Sequence, residues 1–120
     1  MSDDVTFRPA TQRDFLAFYG RPSPYTLRAM VAEHEGRVIG FGGYYTEPGG
    51  ALIAFTDILP EMRKHRKAML RGAKLVMGLI RGNGVPVLAR ANPNEPTADT
   101  ALRHFGFAPL GGGFYELVRD

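Results

Sequence analysis

The sequence contains no cysteine in its 120 residues. This absence excludes disulfide bonds, thiolate metal sites and cysteine nucleophiles. Long apolar runs are also missing, and none approaches the roughly 20 residues that a membrane-spanning helix requires. The opening residues Met1–Asp4 are acidic and have neither the basic nor the apolar segment of a signal peptide. We therefore expect a protein of the cytoplasm that does not associate with membranes.

The composition is otherwise typical of a globular protein. Hydrophobic residues make up 44% of the chain, and no internal repeat or low-complexity segment divides it. This length suits one domain and leaves little room for a second. We therefore expect a single domain over residues 1–120 with an ordinary hydrophobic core.

Basic residues are concentrated in one part of the chain. Residues 63–74 include no acidic side chain, and their basic members are Arg63, Lys64, Arg66, Lys67, Arg71 and Lys74. This basic block predicts either an anionic partner or a solvated helix face. Because no aromatic residues are interleaved with it and no nucleic-acid-reading motif is present, we do not expect a nucleic-acid partner. The three histidines are too dispersed to give a zinc-binding spacing, so we expect no metal site.

The first half of the chain predicts mainly strands. Thr11, followed three residues later by Asp14, is typical of a capping box at the start of a short helix. Gly36 can adopt the positive φ that a tight hairpin turn requires. The predicted strands are Val5–Arg8, Thr26–Glu33, Arg37–Tyr45 and Ala51–Ile58.

The second half begins with a long helix. Apolar residues at helical spacing predict it over residues 66–81, and the glycine-rich segment 82–84 ends it. Thr97 is placed to cap a short helix that continues through Phe105. The predicted strands of this half are Val85–Ala91, Phe107–Leu110 and Phe114–Val118.

The long helix decides the topology. It separates strands 51–58 and 85–91, and a helix between two neighbouring strands makes them parallel through a crossover connection. The hairpins on either side predict antiparallel neighbours. The chain is therefore predicted to be α+β, with a mixed twisted sheet of about six to seven strands and three helices.

The junction between strand 51–58 and the long helix is the segment most suited to chemistry. A helix N-terminus presents free backbone N–H groups and the positive end of the helix dipole. Phosphate groups bind at such positions. Ile58, Pro60, Arg63 and Ala68 lie in this segment at the spacing of the central motif of the GNAT acyltransferase superfamily, V-x-P-x-x-[RQ]-x-x-G-x-[GA], and the chain resembles that superfamily.

Further segments support the resemblance in the same order along the chain. Residues 7–14 are similar to the superfamily's first strand and helix start, and residues 31–40 to its second hairpin. Residues 98–107 are similar to its late helix, which ends in Gly106-Phe107. The resemblance implies a central parallel pair of strands that splay apart at their C-terminal ends.

The resemblance also implies a cofactor and its site. The cofactor would be acetyl-CoA, with its pyrophosphate on the motif loop and its pantetheine arm in the slot between the splayed strands. The implied cofactor-binding residues are Ile58, Leu59, Arg63, Lys64, His65, Arg66, Lys67, Ala68, Met69 and Asn94.

Several residues depart from the superfamily's pattern. Arg66 replaces the inner glycine of the motif, where a guanidinium either crowds the cofactor or contacts its phosphates. Leu102 stands where many members have a tyrosine that protonates the leaving thiolate, and leucine cannot donate a proton. Glu95 stands at the position of a usual asparagine, and Asn94 is one residue away.

Groups that could act on the acceptor are few. Asp57 and Glu47 are the candidate catalytic carboxylates nearest the implied slot, and structural roles at a strand end and a turn are the alternatives. We expect His65 to neighbour the phosphates and His34 to face solvent. The segment before the first hairpin is short, with one helix where the superfamily usually has two, so the acceptor side would be open.

Two functions follow from the resemblance. The first is an N-acyltransferase that transfers an acetyl group from the CoA thioester to an amine on a small molecule or a protein. The alternative is a catalytically degenerate GNAT-fold protein that acts in protein interaction, including phage virion assembly, with a protein partner or a second copy of itself. Residues 55–61 and 68–72 are similar to compact phage and prophage members, and a phage-encoded protein would work in the host cytoplasm.

Overall fold

The computed structural model describes residues 4–82 and 84–118. Its strands are β1 (Thr6–Pro9), β2 (Leu27–His34), β3 (Arg37–Thr46), β4 (Leu52–Ile58), β5 (Val87–Arg90), β6 (Phe107–Gly111) and β7 (Phe114–Leu117). Its α-helices are α1 (Gln12–Tyr19), α2 (Arg66–Arg81) and α3 (Ala98–His104), and a 3₁₀ helix spans Pro60–Lys64. No helix among the described residues is both long and apolar enough to cross a membrane.

The strands form one seven-stranded mixed sheet in the order β1-β2-β3-β4-β5-β7-β6. Only the central pair, β4 and β5, is parallel, and the other described pairs are antiparallel. The α+β mixed sheet and the parallel pair predicted from the sequence are therefore confirmed. The crossover that makes the pair parallel is α2, whose bounds are those predicted.

The two central strands separate at their C-terminal ends. Their pairing runs from Leu52↔Val87 to Ala54↔Ala89, and β4 then continues to Ile58 beside β3 alone in the described pairings. Residues 55–58 of β4 therefore border an opening in the middle of the sheet. Because β4 and β5 are parallel, the segments that follow both strands meet at this opening.

The helices α1 and α2 cover opposite faces of the sheet. Phe41 and Phe55 face α1, where the Phe15 ring meets the Phe41 ring edge-on with centroids 5.7 Å apart. Gly42, the next residue on β3, lies under α2, because a Cβ built there would be 3.0 Å from Val76. A Cβ at Gly72 of α2 would lie 2.8 Å from the Phe7 ring, so this glycine allows the helix to approach the sheet closely.

The start of α1 is fixed by the predicted capping box. The Asp14 backbone N–H donates to Thr11 Oγ1, and the Thr11 N–H donates to the Asp14 carboxylate at 2.8 Å. Arg8 on β1 holds the same carboxylate with two hydrogen bonds of 2.7 and 2.8 Å, and donates a third to Glu33 on β2. These bonds lower the pKa of Asp14, chiefly through Arg8. The network fixes α1 against the first two strands.

Several sequence predictions need correction at element ends. The strand predicted over residues 85–91 is shorter in the structure, where it spans Val87–Arg90. The Pro86 carbonyl still accepts a hydrogen bond from the Leu52 N–H at 3.3 Å. The first strand is shifted by one residue and includes Pro9, which an edge strand tolerates. Thr97 precedes α3 without a capping side-chain bond, because its hydroxyl donates instead to Glu95 at 2.8 Å. Asn83, in the predicted helix-ending segment, lies outside the described residues.

Candidate functional site

The segment from β4 to α2 forms a structured connection. The Leu59 N–H donates to the Ile39 carbonyl at 2.9 Å, and the 3₁₀ helix follows directly. Met62, 3% exposed, anchors this short helix in the core beside Ala68, which is fully buried. Apolar packing against the core therefore holds the backbone of the predicted cofactor segment in place.

The N-terminus of α2 emerges from this connection without a side-chain cap. His65 occupies the N-cap position, and no acidic residue lies in the first turn. The side chains of Arg66 and Lys67 in that turn are exposed. Basic side chains at the positive end of a helix dipole repel that end, and an anion bound there would relieve the repulsion.

Most of the predicted cofactor residues fall into two groups. Ile58, Leu59 and Met69 are half-buried and pack against the apolar cluster that contains Met62 and Ala68. The exposed members are Arg63, Lys64, Arg66, Lys67 and Asn94. The apolar members therefore shape the floor of the segment, and the basic members line its surface.

Arg63 forms an ion pair across the opening between the central strands. Its guanidinium binds the carboxylate of Glu95, which lies in the segment between β5 and α3. The Arg63 guanidinium lowers the pKa of Glu95 to about 2, and the hydrogen bond from Thr97 contributes to the shift. Glu95 is therefore ionised at neutral pH. Its carboxylate pairs with Arg63, which the resemblance implies for phosphate binding.

Glu95 is held in place by its own segment. Its backbone N–H donates to the Asn92 carbonyl at 3.0 Å, and its carbonyl accepts from Ala98 N–H at 3.1 Å. Asn94, which the sequence assigned to the cofactor, has its backbone N–H bonded to the Asn92 side chain at 2.9 Å. The exposed Asn94 side chain lies next in sequence to the ion pair.

The two histidines near this segment are in contact. The rings of His34 and His65 have centroids 4.7 Å apart, and both side chains are half-buried. The expectation that His34 faces solvent is therefore wrong, because the β2–β3 turn folds against the start of α2. An ion pair between Arg37, at the start of β3, and Glu61, in the 3₁₀ helix, joins neighbouring parts of the chain.

Asp57 faces α1 near the open end of β4. The phenol of Tyr19, the last residue of α1, donates to Asp57 Oδ2 at 2.6 Å. Burial raises the pKa of Tyr19, and the hydrogen bond to Asp57 raises it further. Asp57 is thus half-buried at the end of an aromatic cluster that includes Phe41 and Phe55.

Glu47 and Leu102 complete the set of residues that the sequence singled out. Glu47 lies just beyond β3, where its backbone N–H donates to the Ala51 carbonyl at 2.9 Å in the turn before β4. Because Thr46 pairs with Leu52, this turn is at the other end of β4 from the opening, and the prediction that Glu47 lies near the slot is wrong. Leu102 on α3 is half-buried and packs with Phe105 against the core cluster around Met77 and Ile80. Its side chain contributes packing and no proton donor.

Two surface depressions lie away from this site. One, of about 430 Å³, is lined by residues 84–86 and 116–118, at the opposite end of β5 from the opening. The other, of about 220 Å³, is lined by residues 9–10, 27–30 and Leu79. Neither is lined by a predicted cofactor residue.

Sequence reasoning missed Tyr19 and the partner role of Glu95. Tyr19 falls in the short helix predicted after Thr11, and a tyrosine phenol that becomes buried usually has a hydrogen-bond partner. That tendency was the available signal. Glu95 was noted only as a departure from the family's asparagine, and nothing local pointed to Arg63, which is 32 residues away in sequence.

Comparison with known proteins found likeness in structure alone. No family model matches the chain, and no curated protein matches it. An N-acetyltransferase from Staphylococcus aureus Mu50 superposes with a TM-score of 0.71 at 16% identity, over 96% of this chain and 98% of that one.

Two further solved structures agree with that likeness. A Desulfovibrio desulfuricans protein assigned to the GNAT family of acetyltransferases has a TM-score of 0.64 at 15% identity, covering 94% of this chain and 98% of that one. Ard1 from Thermoplasma volcanium has a TM-score of 0.63 at 15% identity, with coverages of 98% and 100%. The chain therefore has the fold that the sequence resemblance implied, shared with GNAT acetyltransferases over nearly its whole length.

Proposed function

We propose that this protein is an N-acyltransferase that uses acetyl-CoA and acts in the cytoplasm as a single domain over residues 1–120. One observation carries the proposal. The central strands separate at their C-terminal ends, and the uncapped basic N-terminus of α2 begins beside that opening. The fold in which this occurs is shared with N-acetyltransferases.

The residues present fit the diphosphate of CoA. The first turn of α2 offers the positive end of a helix, and Arg66 and Lys67 are exposed there without an acidic neighbour in the turn. The Arg66 side chain is exposed to solvent, so it can contact a phosphate directly without crowding the cofactor. Lys64 and His65 would add hydrogen-bond donors from the preceding segment, and Arg63 would add its own on leaving Glu95.

The thioester would supply an activated acyl group, and the protein's own residues would orient and deprotonate the amine. Asp57 is the candidate base, since it lies at the open end of β4 and is held by the Tyr19 phenol. Its remaining lone pairs are available to an amine or a bridging water. Glu47 is not a second candidate, since it lies beside the start of β4, at the other end of that strand from Asp57. The acceptor would be an amine of a small molecule or a protein.

The alternative function is a GNAT-fold protein without catalysis, acting through a protein partner or a second copy, as in phage virion assembly. Two observations favour it. Arg63 is neutralised by Glu95, and Leu102 packs into the core where a proton donor would stand in the family. Under this alternative the basic block remains a solvated helix face.

An acetyl-transfer assay separates the two functions. The purified protein is incubated with acetyl-CoA and a pool of primary amines and peptides, and the CoA thiol released is measured against acetyl-CoA alone. Release that depends on both the amine pool and Asp57 supports the acyltransferase. Asp57→Asn should abolish the amine-dependent part while leaving the fold intact. No amine-dependent release from the wild type would favour the alternative.

A further inference from the structure

The ion pair between Arg63 and Glu95 joins the two segments that a cofactor must pass between. Arg63 belongs to the connection after β4, and Glu95 to the segment after β5. Because β4 and β5 are parallel and separate beyond Ala54, both segments start at the open end of the sheet. The pair therefore spans the opening implied for the pantetheine arm, and its arginine belongs to the motif loop implied for the diphosphate.

Glu95 is the fixed member of the pair. Two backbone hydrogen bonds and the Thr97 hydroxyl hold its segment and its carboxylate. Arg63 has a long flexible side chain that is 57% exposed, whereas the Glu95 side chain is 23% exposed. A ligand that recruits Arg63 therefore has to draw the guanidinium away from a carboxylate that stays in place.

The same carboxylate also acts on an anionic ligand directly. Glu95 remains ionised throughout the physiological pH range, because Arg63 and Thr97 stabilise its charged form. A change of pH within that range leaves the pair intact, whereas salt or a polyanion competes with it. A diphosphate would therefore find Arg63 already paired and would be repelled by the negative charge of Glu95.

We propose that Glu95 limits the affinity of this protein for diphosphate-containing ligands by competing with them for Arg63. The proposal rests on the proposed CoA site and names an acidic residue that opposes cofactor binding there. Glu95 is thus an affinity-determining residue, and its removal improves binding.

Titration calorimetry of CoA on the wild type and two variants tests this inference. Glu95→Gln removes the charge and keeps an oxygen that accepts from Thr97. Glu116→Gln removes an equal charge from an exposed position on β7, away from the opening. We expect Glu95→Gln to lower the Kd for CoA by about two- to tenfold. The variant no longer competes for Arg63, and it no longer repels the phosphates. Glu116→Gln should leave the Kd within about a factor of two, and pantetheine, which lacks phosphate, should bind Glu95→Gln and the wild type equally.

Arg63→Gln, made alone and together with Glu95→Gln, completes a double-mutant cycle. If the carboxylate competes for Arg63, the loss of Arg63 weakens CoA binding more in the Glu95→Gln background than in the wild type. Equal losses would show that Glu95 acts only through its charge, and would overturn the competition. Circular dichroism melting of each variant confirms that binding is compared between folded proteins.

The remaining outcomes separate this inference from the proposed function. CoA binding by the wild type that Glu95→Gln does not improve overturns the role of Glu95 and leaves the acyltransferase standing. No CoA binding by any variant overturns both. Inorganic pyrophosphate serves as a second probe, and it should also bind Glu95→Gln more tightly than the wild type.

Discussion

Tyr19, at the end of α1, donates a hydrogen bond of 2.6 Å to Asp57 near the end of β4, a contact between residues 38 positions apart. It connects the helix that covers one face of the sheet to the opening between the central strands. The phenol lies among aromatic rings, and its ring centroid is 5.4 Å from that of Phe41. Asp57, the proposed base, is therefore oriented by the last residue of α1.

Tyr19→Phe tests this contact through the pH dependence of stability. The raised pKa of Tyr19 means that the folded state keeps the phenol protonated while the unfolded chain ionises near the ordinary value of 10.0. Its contribution is therefore complete below about pH 10 and declines as the pH rises above that value. Urea denaturation at pH 7 should show a loss of about 0.5–1.5 kcal/mol for the variant.

The same denaturation above pH 10 should show the wild type and Tyr19→Phe converging. Tyr45 and Tyr115 also have raised pKa values, but both remain in the variant, so the difference isolates Tyr19. A difference that stays constant from pH 7 to above pH 10 would contradict a buried, hydrogen-bonded phenol.

Two glycines of α2 form a matched pair for stability measurements. A Cβ at Gly78 would meet no atom within 4 Å, whereas one at Gly72 would lie 2.8 Å from Phe7. Alanine in a helix interior is favoured over glycine by about 1 kcal/mol. Gly78→Ala should therefore raise the free energy of unfolding by up to about that amount, and Gly72→Ala should gain less or lose stability.

Denaturant unfolding of both variants distinguishes the two environments. Equal gains would mean that α2 does not approach the sheet as closely at Gly72 as the structure has it.

Leu102→Tyr tests whether the missing phenol limits turnover. A positioned proton donor contributes about 10²–10⁴-fold, so the wild type should transfer acetyl slowly and the variant faster. Leu102→Phe supplies a similar ring without the hydroxyl and should give no increase. Because Leu102 packs against the core, thermal melts of both variants must show that the added ring is accommodated.

The acetyl-transfer assay gives the readout for these variants. Wild-type turnover within the ordinary enzyme range of about 1–10³ s⁻¹ would contradict a slow enzyme and would mean that another group protonates the thiolate.

Variants of Lys67 and Lys74 distinguish the contribution of the α2 N-terminus to CoA binding from that of the rest of the basic block. Both lie on α2 with exposed side chains, and at 1.5 Å per residue they are about 10 Å apart along the axis. Lys67→Ala should weaken CoA binding by up to about fivefold and reduce its salt dependence. Lys74→Ala should change the affinity by less than half as much on a logarithmic scale, since screening acts over about 8–10 Å. Equal effects in calorimetry would argue for diffuse attraction to the whole block.

Local patterns in the sequence predicted most of the fold. Helix 66–81 follows from apolar spacing with glycine at its end, and the Thr11–Asp14 capping box spans only three residues. The parallel central pair followed from that helix alone. Each of these features depends on neighbours in sequence, which is why one sequence was enough to predict them.

The contacts that define the site could not be predicted in this way. Arg63 meets Glu95, and Tyr19 meets Asp57, only after the sheet brings distant segments together. His34 was expected to face solvent because turns usually do, and the packing of the β2–β3 turn against α2 overrode that expectation. The motif residues lie between β4 and α2, where the sequence predicts them, but the motif could not show that Arg63 is already paired.

The central claim is that this fold carries a working acetyl-CoA site, and titration calorimetry of acetyl-CoA into the wild-type protein tests it most directly. We predict one saturable site with a Kd on the order of micromolar, corresponding to about −8 kcal/mol, that weakens as the salt concentration rises. Absence of saturable binding up to about millimolar acetyl-CoA, where the free energy of binding would be about −4 kcal/mol, would contradict the account.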